Sequence, residues 1–246
     1  MTGGLLAVKL AQAGPVIPDF GGGGSNTCVR QNKAFCWDWF SEHWSGTFQP
    51  AVEDHLRLTV IAVAIGFAIA LAAAMVAYRY AWFEQPFSRF SLLLYTIPSL
   101  ALFQFLVPIT GLTDTTVEIA LVSYTLLVLF SNILVGLRGV PDDVREAAAG
   151  MGLTPRQTLV RVQLPLALPA IMAGLRVATV LVISLATVGA FIVDEGLGSP
   201  IFRAIQNDFK TQFVAAAVLA VLLALVADAV LVLAQRLLTP WARRSA

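Results

Sequence analysis

Two charged side chains interrupt long apolar runs of this chain, and their opposite charges make them the first candidates for a functional or structural role. Arg176 and Asp228 each lie in a run that is otherwise uncharged. Charges are costly in a bilayer, so the two residues are expected to pair, as a structural link or as a latch that opens when the protein changes conformation. An enzyme needs positioned acids, bases or metal ligands. No histidine or cysteine enters an apolar run, which disfavours an intramembrane enzyme and excludes a histidine-rich metal site in the membrane.

The two cysteines form the second feature with possible chemistry. Cys28 and Cys36 lie eight positions apart in the polar N-terminal segment. They are expected to form a disulfide if this segment faces an oxidising compartment, and to remain free thiols otherwise. The orientation of the chain therefore decides between the two states.

Composition assigns the chain to the membrane proteins. Its 246 residues are 58% hydrophobic and 13% charged, and its mean hydropathy is +0.79. Soluble domains carry about 25% charged residues. The net charge of +1 offers no basic stripe for nucleic acid.

Five apolar segments are long enough to cross a bilayer, which takes about 20 residues of helix. The sequence thus predicts an all-α polytopic membrane protein with a transmembrane domain over residues 57–238. The expected spans are residues 58–77, 90–107, 119–137, 164–193 and 211–235.

Basic residues in the connecting loops predict the orientation. Four arginines lie between the third and fourth spans, at residues 138, 145, 156 and 161, whereas residues 109–118 contain no basic residue. Because basic loops stay in the cytoplasm, we expect the N-terminus outside and residues 239–246 as a cytoplasmic tail. This orientation favours the disulfide. We further expect residues 1–33 to be a flexible extracytoplasmic tail, and residues 34–56, rich in tryptophan, to form an interfacial helix or a short core helix.

The loop over residues 138–165 contains the start and stop signals of two short helices. Pro141 suits a first helical position, and Gly150 or Gly152 a helix end. Thr154 and Gln157 have the spacing of a capping box at the start of a second helix, which Pro165 is expected to close. The loop is therefore predicted to be a helix–turn–helix elbow. Such an elbow could dock another surface or pack on its own bundle.

The spacing within this elbow is recognisable. Three residues follow Glu146-Ala147-Ala148 before Gly152, nine more precede Val162, and Leu164-Pro165 comes one residue later. This pattern resembles the EAA loop of the permeases of ABC importers, with Val162 replacing the more usual isoleucine. The resemblance implies that Glu146, Ala147, Ala148, Gly152, Val162, Leu164 and Pro165 couple the permease to a cytoplasmic ATPase.

Further segments resemble the osmoprotectant subgroup, which imports glycine betaine, choline, carnitine or related amines. These segments are YTIPSLALF, residues 95–103, and VGAFIVDEGLGSPIFRAI, residues 188–205. Methionine permeases share the five-span plan, so methionine or another small polar nutrient is the alternative substrate. A passive channel is a rival of another class, although it would not need the elbow.

The resemblance also implies partners and the source of energy. The chain has no phosphate-binding GxxxxGK[ST] loop, so ATP and Mg²⁺ are expected on a separate ATPase and no cofactor on this chain. The expected assembly contains two ATPases, a second permease that is identical or paralogous, and an extracytoplasmic binding protein. This chain would be a transport subunit of the cell membrane and not an enzyme.

Two groups of residues are candidates for the transport path. Pro98 perturbs the second span, and polar residues beside it could line a pathway or pack between helices. The pathway candidates are Tyr95, Thr96, Pro98, Ser99 and, in the third span, Asn132. A turn after the fourth span is a candidate outer gate or a plain connection, and its residues are Asp194, Glu195, Gly196 and Gly198.

Overall fold

The structure, a computed structural model, describes residues 27–241. All secondary-structure elements assigned within that range are helices. This confirms the predicted all-α class. Two short π-helical segments, Trp44–Phe48 and Leu159–Gln163, join successive α-helices. The α-helices are α1 Thr27–Arg30, α2 Trp37–Glu42, α3 Gln49–Arg79, α4 Ala81–Thr96, α5 Ser99–Thr110, α6 Asp114–Arg138, α7 Asp142–Gly150, α8 Pro155–Thr158, α9 Leu164–Gly189, α10 Gly198–Gln206 and α11 Lys210–Leu238.

Helices of membrane-spanning length match the predicted number of spans. Helices α3, α6, α9 and α11 each belong to a segment that is long and apolar enough to cross a bilayer, and the bent pair α4–α5 supplies a fifth if counted as one span. Helix α6 lies between α3 and α9 at the centre of the bundle and is the most buried of the long helices. We call the end of the bundle that carries α7 and α8 the elbow end, and the opposite end, with α1, α2 and α10, the cap end.

Small residues allow the central helices to approach closely. A Cβ atom added to Gly66 of α3 would lie 1.9 Å from the Thr125 hydroxyl oxygen of α6. Close contact of this kind is the usual way in which membrane helices associate, since burial of apolar surface drives little association in lipid. The packing of α3 on α6 thus depends on glycine at this position.

The predicted second span is not one helix. The chain breaks between α4 and α5, whose axes are bent by 101°. Ile97 has extended backbone angles, φ −66° and ψ 129°, because the ring of Pro98 disfavours the helical conformation of the residue before it. The Tyr124 hydroxyl donates a hydrogen bond of 2.5 Å to the freed Ile97 carbonyl. The perturbation predicted at Pro98 is therefore a complete break, stabilised by the neighbouring helix.

The N-terminal boundaries also differ from the predicted ones. Residues 34–56 do not form a separate helix: α2 ends at Glu42, and residues 49–56 are already the first turns of α3. Pro50 lies in the first turn of α3, where its missing N–H costs no helical hydrogen bond. Residues 27–33 are packed against α11 and so are not part of a flexible tail, and the rest of the predicted tail, residues 1–26, lies outside the described part of the chain.

Candidate coupling elbow and membrane pathway

The first arm of the elbow is helix α7, which presents small and acidic residues away from the bundle. Helix α7 begins at Asp142, one residue later than predicted, because Pro141 has a ψ of 147° and precedes the helix instead of starting it. Glu146 and Ala147 are exposed, whereas Ala148 is buried against the bundle. The Glu-Ala-Ala sequence therefore presents two residues outward and anchors the helix with the third.

The turn between the two arms depends on the backbone of Gly152. Its N–H donates to the Ala149 carbonyl over 2.9 Å, and the next N–H, of Leu153, donates to the Ala148 carbonyl over 3.1 Å. These two bonds form a Schellman motif, with Gly152 in the left-handed conformation at φ +81°. An added Cβ would meet no atom within 4 Å. Glycine is thus favoured here for its conformation and not for lack of space. The last residue of α7 is Gly150, and the left-handed Gly152, two residues later, is the one that stops the helix.

The second arm begins with the predicted capping box. The Thr154 hydroxyl accepts from the Gln157 N–H over 3.4 Å, and the Gln157 carboxamide oxygen accepts from the Thr154 N–H over 2.8 Å. Pro165 does not close this helix, contrary to expectation. A π-helical segment joins α8 to α9, and Pro165 occupies the first turn of α9, where an N–H is not needed.

The later residues of the motif connect the elbow to the bundle. Leu164 packs against the core that α3, α6 and α9 share. Val162 and Pro165 are half-buried. The motif thus has an exposed half, at Glu146 and Ala147, and an anchoring half at the start of α9. A movement of the exposed arm would reach α9 through a nearly continuous helical path.

The elbow end carries a concentration of positive charge. A cavity of about 910 Å³ lies between the elbow and the end of α3. One of its arginines, Arg138, makes two hydrogen bonds to the Glu84 carboxylate, of 2.9 and 2.6 Å. The arginines that line the cavity are Arg79, Arg138, Arg145 and Arg156.

The break between α4 and α5 brings four of the five pathway candidates together. Tyr95, which is 39% exposed, places its ring 6.2 Å from that of Tyr124 in an edge-to-face arrangement. The Thr96 hydroxyl donates to the Leu93 carbonyl over 2.9 Å, and Pro98 and Ser99 follow at the break itself. Tyr124 lies ten residues along α6 from Asp114, about 15 Å at the helical rise, so the break lies well away from the cap end along the bundle axis.

Asn132 does not belong to this group. Its amide donates to the Val128 carbonyl of its own helix over 2.8 Å. Its Cβ lies 2.5 Å from the position that a Cβ on Gly174 of α9 would occupy. Asn132 therefore packs in the contact between α6 and α9, about 12 Å further along α6 toward the elbow end than Tyr124.

Ion pairs hold the turn over residues 194–198 at the cap end. Asp194 pairs with Arg203 of α10. Burial alone would raise the pKa of Asp194, but hydrogen bonds from Arg203 and Ser199 outweigh it, so the pKa is lowered and the carboxylate stays charged. Glu195 shares Arg57 with Asp114, each at 2.9 Å, so one guanidinium links α3, the start of α6 and the turn.

A buried histidine also fixes this turn, and the sequence offered no motif that would have identified it. His55 of α3 is fully buried, and its Nδ1 accepts from the Leu197 N–H over 3.2 Å. Its Nε2–H donates to the Ile183 carbonyl of α9 over 3.0 Å, which requires the neutral ring. Gly196 is left-handed at φ +69°, with the His55 ring against it. The sequence-based boundary at residue 56 had placed His55 outside the bundle.

Arg176 and Asp228 form a bidentate pair between α9 and α11. Arg176 Nε lies 2.7 Å from Asp228 Oδ1, and one Nη lies 3.0 Å from Oδ2. Arg176 is twelve residues from the start of α9 and thirteen from its end. It thus occupies the middle of its helix, which ends at Gly189.

The cap end is closed by a small disulfide-linked segment. Cys28 and Cys36 are joined by a disulfide. Between them, the Asn32 side chain accepts from the Lys210 N–H over 2.9 Å, and the Lys33 carbonyl accepts from the Thr211 hydroxyl over 3.0 Å. The disulfide therefore holds the segment that fixes the start of α11. Within residues 27–241, no three His, Cys, Asp or Glu side chains are grouped so that they could hold a metal ion.

Comparison with known proteins identifies the family. Residues 62–244 match the family described as the inner membrane component of binding-protein-dependent transport systems. The chain belongs to this family. The permease is 35% identical over 187 residues to the choline transport system permease protein OpuBB of Bacillus subtilis, a match that covers 76% of this chain and 86% of that protein. It is 32% identical, with the same coverage, to the glycine betaine/carnitine/choline permease OpuCB of the same organism.

Solved structures show the same fold. A chain of the methionine ABC transporter MetNI, in an inward-facing conformation, superposes with a TM-score of 0.68 at 21% identity, covering 77% of the permease and 94% of that chain. A chain of an amino acid ABC transporter solved with histidines gives a TM-score of 0.65 at 19% identity, covering 80% and 96%.

Family membership determines the class of function. The permease is a membrane-spanning transport subunit of an ABC importer and not an enzyme. This class implies an ATPase and a substrate-binding protein as partners. The family match begins at residue 62, so the disulfide-linked segment, α2 and the buried His55 all precede it.

Proposed function

We propose that this permease imports compatible solutes with a quaternary ammonium group, such as choline, glycine betaine or carnitine. The observation that carries the proposal is the 35% identity to a choline permease over three-quarters of the chain. Relatives of similar coverage, at 32% and 34% identity, are named for glycine betaine, carnitine and osmoprotectants. The likeness to the methionine transporter, at 21% identity, supports the fold and not the substrate.

The elbow is proposed as the surface through which ATP hydrolysis drives transport. Two ATPase subunits bind ATP and Mg²⁺, and each docks on one permease. The exposed Glu146 and Ala147 support this role, since a small residue permits close approach and a carboxylate can pair with a cation of the partner. The anchoring of the motif at Leu164 supports transmission into α9, and thereby alternating access between the two sides of the membrane.

The proposed orientation places the elbow end in the cytoplasm. The four arginines around the elbow cavity support it, because positively charged segments remain on the cytoplasmic side. The C-terminus then lies inside, and the cap end lies outside, where a disulfide persists. The turn over residues 194–198 would be an outer gate or the docking site of the binding protein.

The break between α4 and α5 is the proposed contact site for the substrate. Helix α4 ends near mid-depth of the bundle, with Tyr95 and Thr96 exposed, and a helix C-terminus carries a partial negative charge that attracts cations. Broken helices supply substrate and ion sites in other transporters by the same physics. The exposed ring of Tyr95 adds an aromatic face, which binds quaternary ammonium groups. Thr96, Pro98 and Ser99 would complete this part of the pathway.

The test is transport by the reconstituted complex. The permease, its ATPase, its binding protein and any second permease are placed in proteoliposomes, and uptake of radiolabelled choline and glycine betaine is followed with and without ATP. ATP-dependent uptake of either solute supports the proposal. An intact complex that hydrolyses ATP but takes up neither solute, and takes up methionine instead, refutes the substrate class.

Two variants of the same residue then test the site. Tyr95→Phe retains the aromatic face and is expected to keep uptake, whereas Tyr95→Leu removes the ring and is expected to reduce it. Equal uptake by both variants, at the wild-type level, would remove Tyr95 from the pathway.

A further inference from the structure

The cavity at the elbow end combines a basic lining with an apolar one. It has a volume of about 910 Å³ and lies between the end of α3 and the two arms of the elbow. Besides its four arginines, Met75, Leu153 and Leu159 line it. A small inorganic anion would match the arginines but leave the apolar part of the lining without a partner. A ligand that has both an anionic group and an apolar portion matches the whole cavity.

Two of the four arginines have no anionic partner. Arg138 and Arg145 are each paired with a carboxylate of the chain. Within residues 27–241 the other two, Arg79 and Arg156, form no ion pair. The guanidinium carbon of Arg79 lies 5.8 Å from the ring centroid of Tyr80, a contact that supplies no anion. The cavity therefore carries an excess of positive charge, which an anionic ligand would balance.

Arg145 contributes a donor that the chain leaves unused. Its Nε–H is buried and meets no acceptor in the described part of the chain, although one of its other nitrogens lies 3.4 Å from the Tyr78 hydroxyl. Buried N–H groups are nearly always hydrogen-bonded in native proteins. Phosphate oxygens are strong acceptors for arginine, whose planar guanidinium can bind two of them at once. An anionic phosphate group is therefore the ligand chemistry that these side chains favour.

The aromatic residues beside Arg79 place the cavity at the depth of the lipid headgroups. Tyr80 and Trp82 follow Arg79 where α4 begins, and they are 54% and 73% exposed. Exposed Trp and Tyr side chains collect at the boundary between bilayer and water. Basic pockets between spanning helices at this depth bind anionic headgroups. A phospholipid carries apolar chains beside its phosphate, so it fits the mixed lining better than a free phosphate does.

We propose that this cavity binds one anionic phospholipid, such as phosphatidylglycerol. Arg79 and Arg156 contact the phosphate, and the apolar part of the lining receives the first part of an acyl chain. Because Arg79 belongs to α3 and Arg156 to α8, the bound lipid links the bundle to the second arm of the elbow. The inference goes beyond the proposed function and does not depend on the substrate class.

Native mass spectrometry of the assembled transporter tests the proposal. The complex, purified in a mild detergent, is mixed with equal amounts of phosphatidylglycerol and phosphatidylcholine that carry the same acyl chains. The wild type should retain phosphatidylglycerol in preference to phosphatidylcholine. Arg79→Gln combined with Arg156→Gln should reduce this preference by about tenfold or more, because hydrogen bonds between charged groups are among the strongest in proteins.

Arg161→Gln is the matched control. Arg161 is an exposed arginine of the same elbow, but it does not line the cavity. This variant should therefore retain phosphatidylglycerol as the wild type does. Arg79 and Arg156 are also exposed, so the double variant should unfold at the wild-type temperature, and a thermal melt checks that its loss of lipid is not a loss of folding.

Several outcomes would overturn the proposal. One is a wild-type transporter that retains both lipids equally, or no phosphatidylglycerol, as when an acidic surface of the ATPase fills the cavity. Another is an equal loss of lipid in Arg161→Gln and in the double variant, which would indicate attraction by positive charge at large. Displacement of the lipid by equimolar inorganic phosphate would indicate a site for the free anion instead. The assay does not measure transport, so a wrong substrate class leaves its result unchanged.

Discussion

The conformation of Gly152 leads to a prediction whose magnitude follows from the structure. The residue adopts φ +81°, and a Cβ atom added to it would meet no other atom within 4 Å. Gly152→Ala therefore introduces backbone strain without a steric clash. The left-handed conformation costs an L-residue about 1–2 kcal/mol. This cost lowers the free energy of local opening at the turn. An opening that is 1–2 kcal/mol easier is about 5- to 30-fold more frequent.

Amide exchange measures this opening directly. The Leu153 N–H donates to the Ala148 carbonyl and is released when the turn opens, so its exchange rate should rise by the same factor in Gly152→Ala. Uptake per ATP hydrolysed should fall in proteoliposomes, because the ATPase would dock on a less populated conformation. Gly152→Val should have a larger effect, since a β-branched residue tolerates a positive φ least. The spans should insert normally in both variants.

Gly150→Ala provides the matched control. An added Cβ there also meets nothing within 4 Å, but Gly150 lies in the last turn of α7 with a negative φ. Alanine is favoured over glycine in a helix by about 1 kcal/mol, so this variant should keep the turn and its coupling. Normal exchange and uptake in Gly152→Ala, or equal losses in both variants, would refute the reasoning.

Four further perturbations test other parts of the structure. Glu146→Lys should leave insertion intact but lower uptake per ATP hydrolysed, and normal uptake would contradict a role of the exposed arm. Tyr124→Phe leaves the Ile97 carbonyl at the helix break without its donor, which should cost about 1–3 kcal/mol in thermal unfolding; an unchanged midpoint would show that the bond is unimportant. Reversal of either Arg176 or Asp228 alone should impair folding and uptake, and reversal of both should restore them; no recovery would contradict the pairing. Cys28→Ser opens a nine-residue loop and should cost the cap segment about 2.5 kcal/mol, seen as faster exchange of the Lys210 amide; unchanged exchange would mean that packing alone holds the segment.

Local signals predicted the elbow well. Thr154 and Gln157 interact within one turn of helix, so their capping box forms from adjacent residues. Gly152 stops the chain from continuing α7 beyond Gly150 for the same kind of reason, although Gly150 fitted the pattern of a stop signal equally well. The choice between them depended on which residue turned left-handed, and that is a property of the folded backbone.

Contacts between distant residues could not be predicted in this way. His55 joins α3 to a carbonyl of α9 and to an amide 142 positions along the chain. No pattern of neighbouring residues encodes that contact, and a histidine before an apolar run is typical of a membrane boundary. Residues 27–33 were wrongly predicted to be flexible for the same reason, since Asn32 and Lys33 bond to the start of α11.

The sequence by itself determined the number of apolar segments, the two arms of the elbow and the family, because these depend on composition, period and spacing along the chain. Tertiary structure decided how those segments are used. Pro98 predicted a perturbation of the second span. The 101° break also depends on Tyr124 of another helix, whose hydroxyl donates to the freed Ile97 carbonyl. Arg176 and Asp228 were recognisable as an expected pair, yet the exposure of that pair at mid-helix became visible only once α9 and α11 were packed. Burial and hydrogen bonding between remote residues are properties of the packed bundle, and no local stretch contains them.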